Sequence, residues 1–291
     1  MTELPQRLIV QRHDGPLGTW RMALLLPDER LAASVEFLWC VEGGNPHEVA
    51  RILPRGNAHL MFNLGAPQRL LESTGPVVFR HAWFSGQQQR FLDVEGTGEN
   101  AILGVRFRAP GAWRILGIAQ HELAGRVIDL DALLGDAIHA LRQRLLDCDD
   151  PGGRLALLEN WLLARMRDRG NSHYAVRWAL RRLEETHGGI DVAGLARELG
   201  FSRRHLAQLF QREAGLSPKA LARVLRFSHT LDCVRGAANP RWDRVALDCG
   251  YYDQSHMIRD FQAFSGHAPR DFLRRPAFDD ETISEAPPSV Q

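Results

Sequence analysis

The chain lacks several features that define whole protein classes. Its four cysteines, Cys40, Cys148, Cys233 and Cys249, are scattered along 291 residues with no CxxC pair. That argues against a disulfide framework or a structural zinc site; reduced, mostly buried thiols are expected, with no metal and no cofactor. No apolar run reaches the ~18 residues of a membrane span. The opening MTELPQRLIVQRHDG has no basic stretch followed by an apolar one, so neither a signal peptide nor a membrane contact is expected, and the expected location is the cytoplasm. Lysine is nearly absent, Lys219 being the sole one among 36 basic residues. GC-rich coding produces such an arginine bias, and no function is read from it.

An excess of one charge is missing too. With 36 basic and 35 acidic residues the net charge is +1, which excludes a uniformly basic nucleic-acid coat and an acidic disordered chain. The distribution is uneven. Residues 171–275 hold 17 basic and 11 acidic side chains, residues 1–170 hold 19 and 20, and residues 276–291 hold four acidic and no basic ones. With RDRGNS at 167–172 as the best linker, this divides the chain into a domain at 1–170, a basic domain at 171–275 and a disordered tail at 276–291. A hydrophobic content of 44% is enough for a core in each domain.

What is present changes period at about Pro110. Before it, apolar runs such as RMALLLP (21–27), VEFLWCVEGG (35–44), HLMFNLG (59–65), PVVFRHAWFSG (76–86) and AILGVRFRAPG (101–111) are broken by Gly, Pro and Asn. They read as successive strands of a sandwich or small barrel. After it, Ile138, Leu141, Leu145 and then Leu155, Leu158, Leu162, Met166 form stripes on two helices separated by DDPGG. This helical pair either covers one face of the sheet or leaves a face for a homodimer. From Tyr174 to Arg274 the pattern is helical, so the fold class is α+β.

The basic domain contains one unit twice. LARELGFSRRHLAQLFQREAGLSP (195–218) and VALDCGYYDQSHMIRDFQAFSGHAP (245–269) align at an offset of 50 up to the turn and 51 after it. Ala196 and Ala246 permit close helix approach, Gly200 and Gly250 suit a left-handed turn, and Ser202 and Asp253 stand where an N-cap is needed. With Leu206, Leu209 and Phe210 inward, Arg204, Gln208 and Gln211 point outward beside Arg203. The second copy likewise presents Gln254, Ser255, Arg259 and Gln262. Both stripes reach far and can hydrogen-bond base edges or phosphates of double-stranded DNA. Between the copies, Ser217 and Pro218 start a helix running to about Val234, a strut of ~25 Å. It could set the two units into successive major grooves, which lie ~34 Å apart.

These motifs resemble the AraC/XylS family of bacterial transcription regulators over about 100 residues, Tyr174 to Phe272. The resemblance implies two helix-turn-helix units joined by a long helix, with Arg204, Ala207, Gln208, Ser255 and Arg259 facing DNA; Ala207 offers only a methyl group. ILPRGNAHLMFNLG (52–65), GVRFRAPGAWRILGI (104–118) and VIDLDALLG (127–135) resemble the N-terminal domain of one branch of these regulators. That implies a cupin-like β-domain with helices, used for sensing or dimerisation. The expected partners are DNA, a small-molecule effector and, for an activator, RNA polymerase.

Trp39, His59, Trp83 and Phe84 are the candidates to line an effector pocket. The rival reading is a cupin-type metalloenzyme with an appended DNA-binding module. It suffers from the absence of an HxH pair, since His59 and His81 are 22 residues apart. A cysteine-based sensor of alkylation would need a thiol cluster in the N-terminal half, and Cys40 and Cys148 make none. No catalytic constellation stands out, and an enzyme is not expected.

Overall fold

The computed structural model describes residues 4–15, 18–44, 49–166, 172–237, 239–277 and 282–284. A short helix α1 (Leu4–Arg7) leads into strands β1 (Leu8–Gly15), β2 (Gly18–Leu25), β3 (Val35–Gly43), β4 (Val49–Ile52), β5 (Ala58–Asn63), β6 (Gln68–Glu72), β7 (Gly75–Phe79), β8 (Ala82–Ser85), β9 (Leu92–Gly96) and β10 (Ala101–Phe107). After α2 (Gly111–Leu116) comes β11 (Val127–Asp129). One antiparallel sheet has the order β1-β2-β3-β10-β5-β8-β11, and a smaller one contains β4-β9-β6-β7. The expected period of two is visible as a division of labour across the large sheet. Leu38, Cys40, Leu60, Phe62, Leu103 and Val105 point to one side and join the main core. Their neighbours Trp39, Met61 and Ile102 point to the other, toward the small sheet.

The helical pair covers the first of these faces. Beyond α3 (Leu130–Leu134), α4 (Ala137–Leu146) contributes Ile138, Leu141 and Leu145, and α5 (Pro151–Arg165) contributes Leu155, Leu158 and Leu162, all to that core. The pair thus covers the sheet. The break between the helices is sharper than DDPGG suggests: Asp150 caps α5 by accepting from the Gly153 amide, and Pro151 sits in its first turn.

The second half is helical throughout, with α6 (Tyr174–Glu185), α7 (Val192–Glu198), α8 (Arg203–Ala214), α9 (Pro218–Val234), α10 (Trp242–Asp248), α11 (Gln254–Ser265) and α12 (Pro269–Phe272). Of the expected linker at 167–172 only Ser172 lies within the described residues. The tail is corrected in part. Thr282–Ser284 forms β12, which pairs antiparallel with the open edge of β4, and Ile283 is buried there. An apolar residue within an acidic tail and an unpaired strand edge supply the reason; the remainder of that tail, apart from Pro276 and Ala277, lies outside the described residues.

The two halves also share a core. Leu53 and Ala109 of the β-domain and Ile283 of the tail pack with Leu221, Val224, Phe227, Leu231 and Phe264.

Candidate functional site

The two copies fold alike to the level of single hydrogen bonds. In the first, the Phe201 amide donates to the Ala196 carbonyl at 2.9 Å and Gly200 has φ +70°; in the second, Tyr251 donates to Ala246 at 2.9 Å and Gly250 has φ +74°. These positive φ values are the left-handed turn that the glycines were expected to make. Ser202 caps α8 by accepting from the His205 amide at 3.1 Å, and Asp253 caps α11 by accepting from His256 at 2.6 Å. Ala196 and Ala246 are buried at the helix crossings, as are Leu206 and Phe210 of α8 and Met257 and Phe261 of α11.

The opposite stripes are left to solvent. Arg203, Arg204, Gln208 and Gln211 on α8, and Gln254, Ser255, Arg259 and Gln262 on α11, are all exposed, while Ala207 is half-buried. Between the copies, α9 runs for 17 residues from a Ser217 cap with Pro218 in its first turn. A cleft of about 540 Å³ lies against it, lined by Arg203 and Ala207 of α8, Lys219, Arg223 and Arg226 of α9, and His256 of α11. These α9 basic residues were missed from sequence because that helix read as a strut. Arg223 also holds the buried Asp260 of α11 at 2.6 Å, and Arg226 donates to the Gly188 carbonyl at 2.9 Å.

The β-domain holds an apolar cavity between its sheets. A space of about 150 Å³ is lined by Met22, Trp39, Met61 and Trp83 from the large sheet and by Ile52, Leu70 and Val94 from the small one, with His59, Gln68 and Ser85 as its polar points. A neighbouring space of about 190 Å³ shares Met22, Trp39, Ile52 and Gln68 and extends toward Trp20 and Asn100. Gly104 makes room for the pocket wall, since a β-carbon there would stand 2.5 Å from the Trp39 ring. Of the expected lining residues, Trp39, His59 and Trp83 are in place and Phe84 is not. Phe84 follows Trp83 on β8 and therefore points to the other face, where it is fully buried against Phe107.

The histidines of the metalloenzyme reading do not meet. His59 pairs with Ser85, whereas His81 lies opposite Asn63, four register positions away and so ~13 Å along the sheet. His81 instead stands beside Asp131 and His139 near the start of the helical layer.

Strand β4 and the loop after it connect pocket and helices. Ile52 of β4 lines the cavity. Beside it, the buried Arg51 holds Asp93 at 2.7 and 2.8 Å and donates to the Ser265 carbonyl at the end of α11 at 3.0 Å. Arg55, also buried, donates to the Ser228 carbonyl at 2.8 Å and to Asp232 at 3.0 Å, both on α9. Gly266 (φ +77°) closes α11 directly against this strand; a β-carbon there would lie 2.5 Å from Arg51 and 2.7 Å from Phe91.

Two tandem helix-turn-helix units with exposed polar second helices define a DNA-binding domain of the transcription-regulator class. Residues 195–275 match the family model described as a helix-turn-helix domain, and residues 24–129 match one described as a domain of unknown function. The chain is 30% identical to a probable AraC family transcriptional regulator from Rhodopseudomonas palustris CGA009 over 35% of this chain and 95% of that one, with a TM-score of 0.31. It belongs to the AraC family. It is also 29% identical over 86 residues to the HTH-type transcriptional activator RhaR of Yersinia pseudotuberculosis, covering 30% of this chain and 29% of that protein, so it spans under a third of that relative. Apo ToxT from Vibrio cholerae is similar over 90% of this chain and 98% of that one at 10% identity and a TM-score of 0.43. No helix among the described residues is long and apolar enough to cross a membrane.

Proposed function

We propose that this chain is a cytoplasmic, sequence-specific regulator of transcription that binds double-stranded DNA through α8 and α11 and takes a small, largely apolar effector between its two sheets. The observation that carries the reading is the duplicated unit with matching turns, matching caps and an exposed polar stripe on each second helix. Arg204 and Gln208 read one half-site and Ser255 and Arg259 the other. Arg203, Gln211, Gln254 and Gln262 flank them against phosphates, together with Lys219 of the cleft. Where the regulator activates, RNA polymerase is the second macromolecular partner.

The effector acts through β4. An occupant that presses on Ile52 also bears on Arg51 and Arg55, whose guanidinium groups grip the end of α11 and the middle of α9. Occupancy therefore favours one seating of the two DNA-reading units, and its effect is limited to its differential affinity for the two seatings. The domain division at 1–170 and 171–275 is consistent with this, as two functional parts that share a core.

Genomic footprinting of the bound sites, followed by gel-shift titration of the full chain on the recovered operator, tests the reading. Protected sites with two half-sites about one helical turn apart are expected. Uniform binding to all DNA, or none at low salt, would remove its basis.

A further inference from the structure

The cysteines that look scattered in the sequence do not stay apart. His229 and Cys233 lie one turn apart on α9, and Cys249 ends α10 immediately before the Gly250 turn of the second unit. One ligand atom of each, an imidazole nitrogen and two Sγ atoms, lies within 4.8 Å of the other two. Cys233 Sγ is 3.5 Å from His229 Nε2. Tetrahedral zinc with Zn–S of about 2.3 Å and Zn–N of about 2.0–2.1 Å needs an S···N edge of about 3.5 Å and an S···S edge of about 3.8 Å. One edge already has this length, and the other two, each within 4.8 Å, close by about 1.3 Å at most.

We propose that His229, Cys233 and Cys249 form a binding site for a thiophilic divalent ion of the zinc class. Two sulfurs and one imidazole suit such an ion better than a hard cation. Cys233 is exposed and His229 half-buried, so the fourth position faces solvent. His187 is not that fourth ligand. Its ring stacks on His229 at 3.8 Å with only 3° between the planes, which places its lone pair in a parallel plane rather than toward an ion in the plane of His229. The stack instead orients the His229 ring, as an outer-shell partner does. His187 is the one non-glycine residue with positive φ, 47°, among the described residues. The ion would tie the Gly250 turn, and with it the entry to α11, to the connecting helix.

The other triad, His81, Asp131 and His139, has no sulfur, and its His139 already pairs with Asp131 at 3.3 Å. The test must therefore separate thiolate from histidine–carboxylate binding. The full chain, reduced and stripped of metal, is titrated with Co(II) and then Zn(II). Near-ultraviolet thiolate-to-cobalt charge transfer saturating at one equivalent and displaced by zinc is expected. Cys233→Ser should lose most of that band, and His81→Ala should keep it. Because Cys249 is buried and its replacement risks the fold, a second measurement uses the unaltered chain: zinc should protect the exposed Cys233 from alkylation, read by mass spectrometry, and leave Cys148 unprotected. No charge-transfer band from the reduced chain, a band that survives Cys233→Ser, or alkylation of Cys233 unchanged by zinc would each overturn the site.

Discussion

In the register of the repeat Arg204 of α8 matches Ser255 and Arg259 of α11 matches Gln208, and both arginines are exposed on the outward stripes. Arg204→Ala and Arg259→Ala are each expected to weaken operator binding by about 1–3 kcal/mol if the guanidinium grips a guanine edge. Gel-shift titrations on the operator and on scrambled DNA check this, because a phosphate contact would lower both equally and flatten the salt dependence. Arg51 makes a different kind of contribution. It is buried with Asp93 and a carbonyl acceptor, so Arg51→Leu leaves a half-buried carboxylate without its partner and should cost about 3 kcal/mol of stability in chemical denaturation. An unchanged midpoint would show that this pair contributes nothing net.

At the scale of elements, the turns carry the test. Nothing lies within 4 Å of a β-carbon built on Gly200, so Gly200→Val is expected to cost only the backbone strain of a left-handed φ, about 1–3 kcal/mol. Gly250→Val should cost a similar amount, since its β-carbon would meet Gly189 Cα at an ordinary contact distance of 3.6 Å. Gly266→Ala combines the same kind of strain with a collision against Arg51 and Phe91, and its melting temperature should fall below that of Gly200→Ala. Equal melting of those two alanine variants would mean that α11 does not bear on β4 as described. These turns were legible in the sequence for a physical reason: a glycine required for φ, a cap residue two or three positions later and an inward apolar pair all act within one helical turn. The same holds for α9, whose Ser217 cap, Pro218 start and Val234 end agree with expectation to the residue.

At the scale of the molecule, the β-domain and the helical half share a buried core and two arginine clamps, so effector and operator are expected to influence one another. Arg55→Met removes the grip on Ser228 and Asp232 while keeping an apolar stem. It should leave the pocket able to bind and reduce the coupling between effector and DNA, typically 1–3 kcal/mol in such systems. Operator affinity measured with and without effector, in wild type and variant, reads the change; coupling undiminished in Arg55→Met would place the route elsewhere. Affinity of the full chain should also fall steeply with salt as phosphate counterions are released, and a flat dependence would argue against a phosphate-anchored complex.

The chain's own order of residues determined whatever depends on neighbours: the change of period near Pro110, the helix caps, the paired turns, and the outward stripes of α8 and α11. Only the tertiary structure decided what depends on distant segments meeting. Phe84 and Trp83 are both apolar on a strand buried on both faces, so periodicity could not tell pocket from core. His59 and His81 were free to meet until the β5–β8 register held them apart. Ile283 found a strand edge more than two hundred residues away in sequence. His229, Cys233 and Cys249 became neighbours because α10 packs on α9, an arrangement set by long-range burial around Val234, Trp242 and Met257 that carries no local spacing signal.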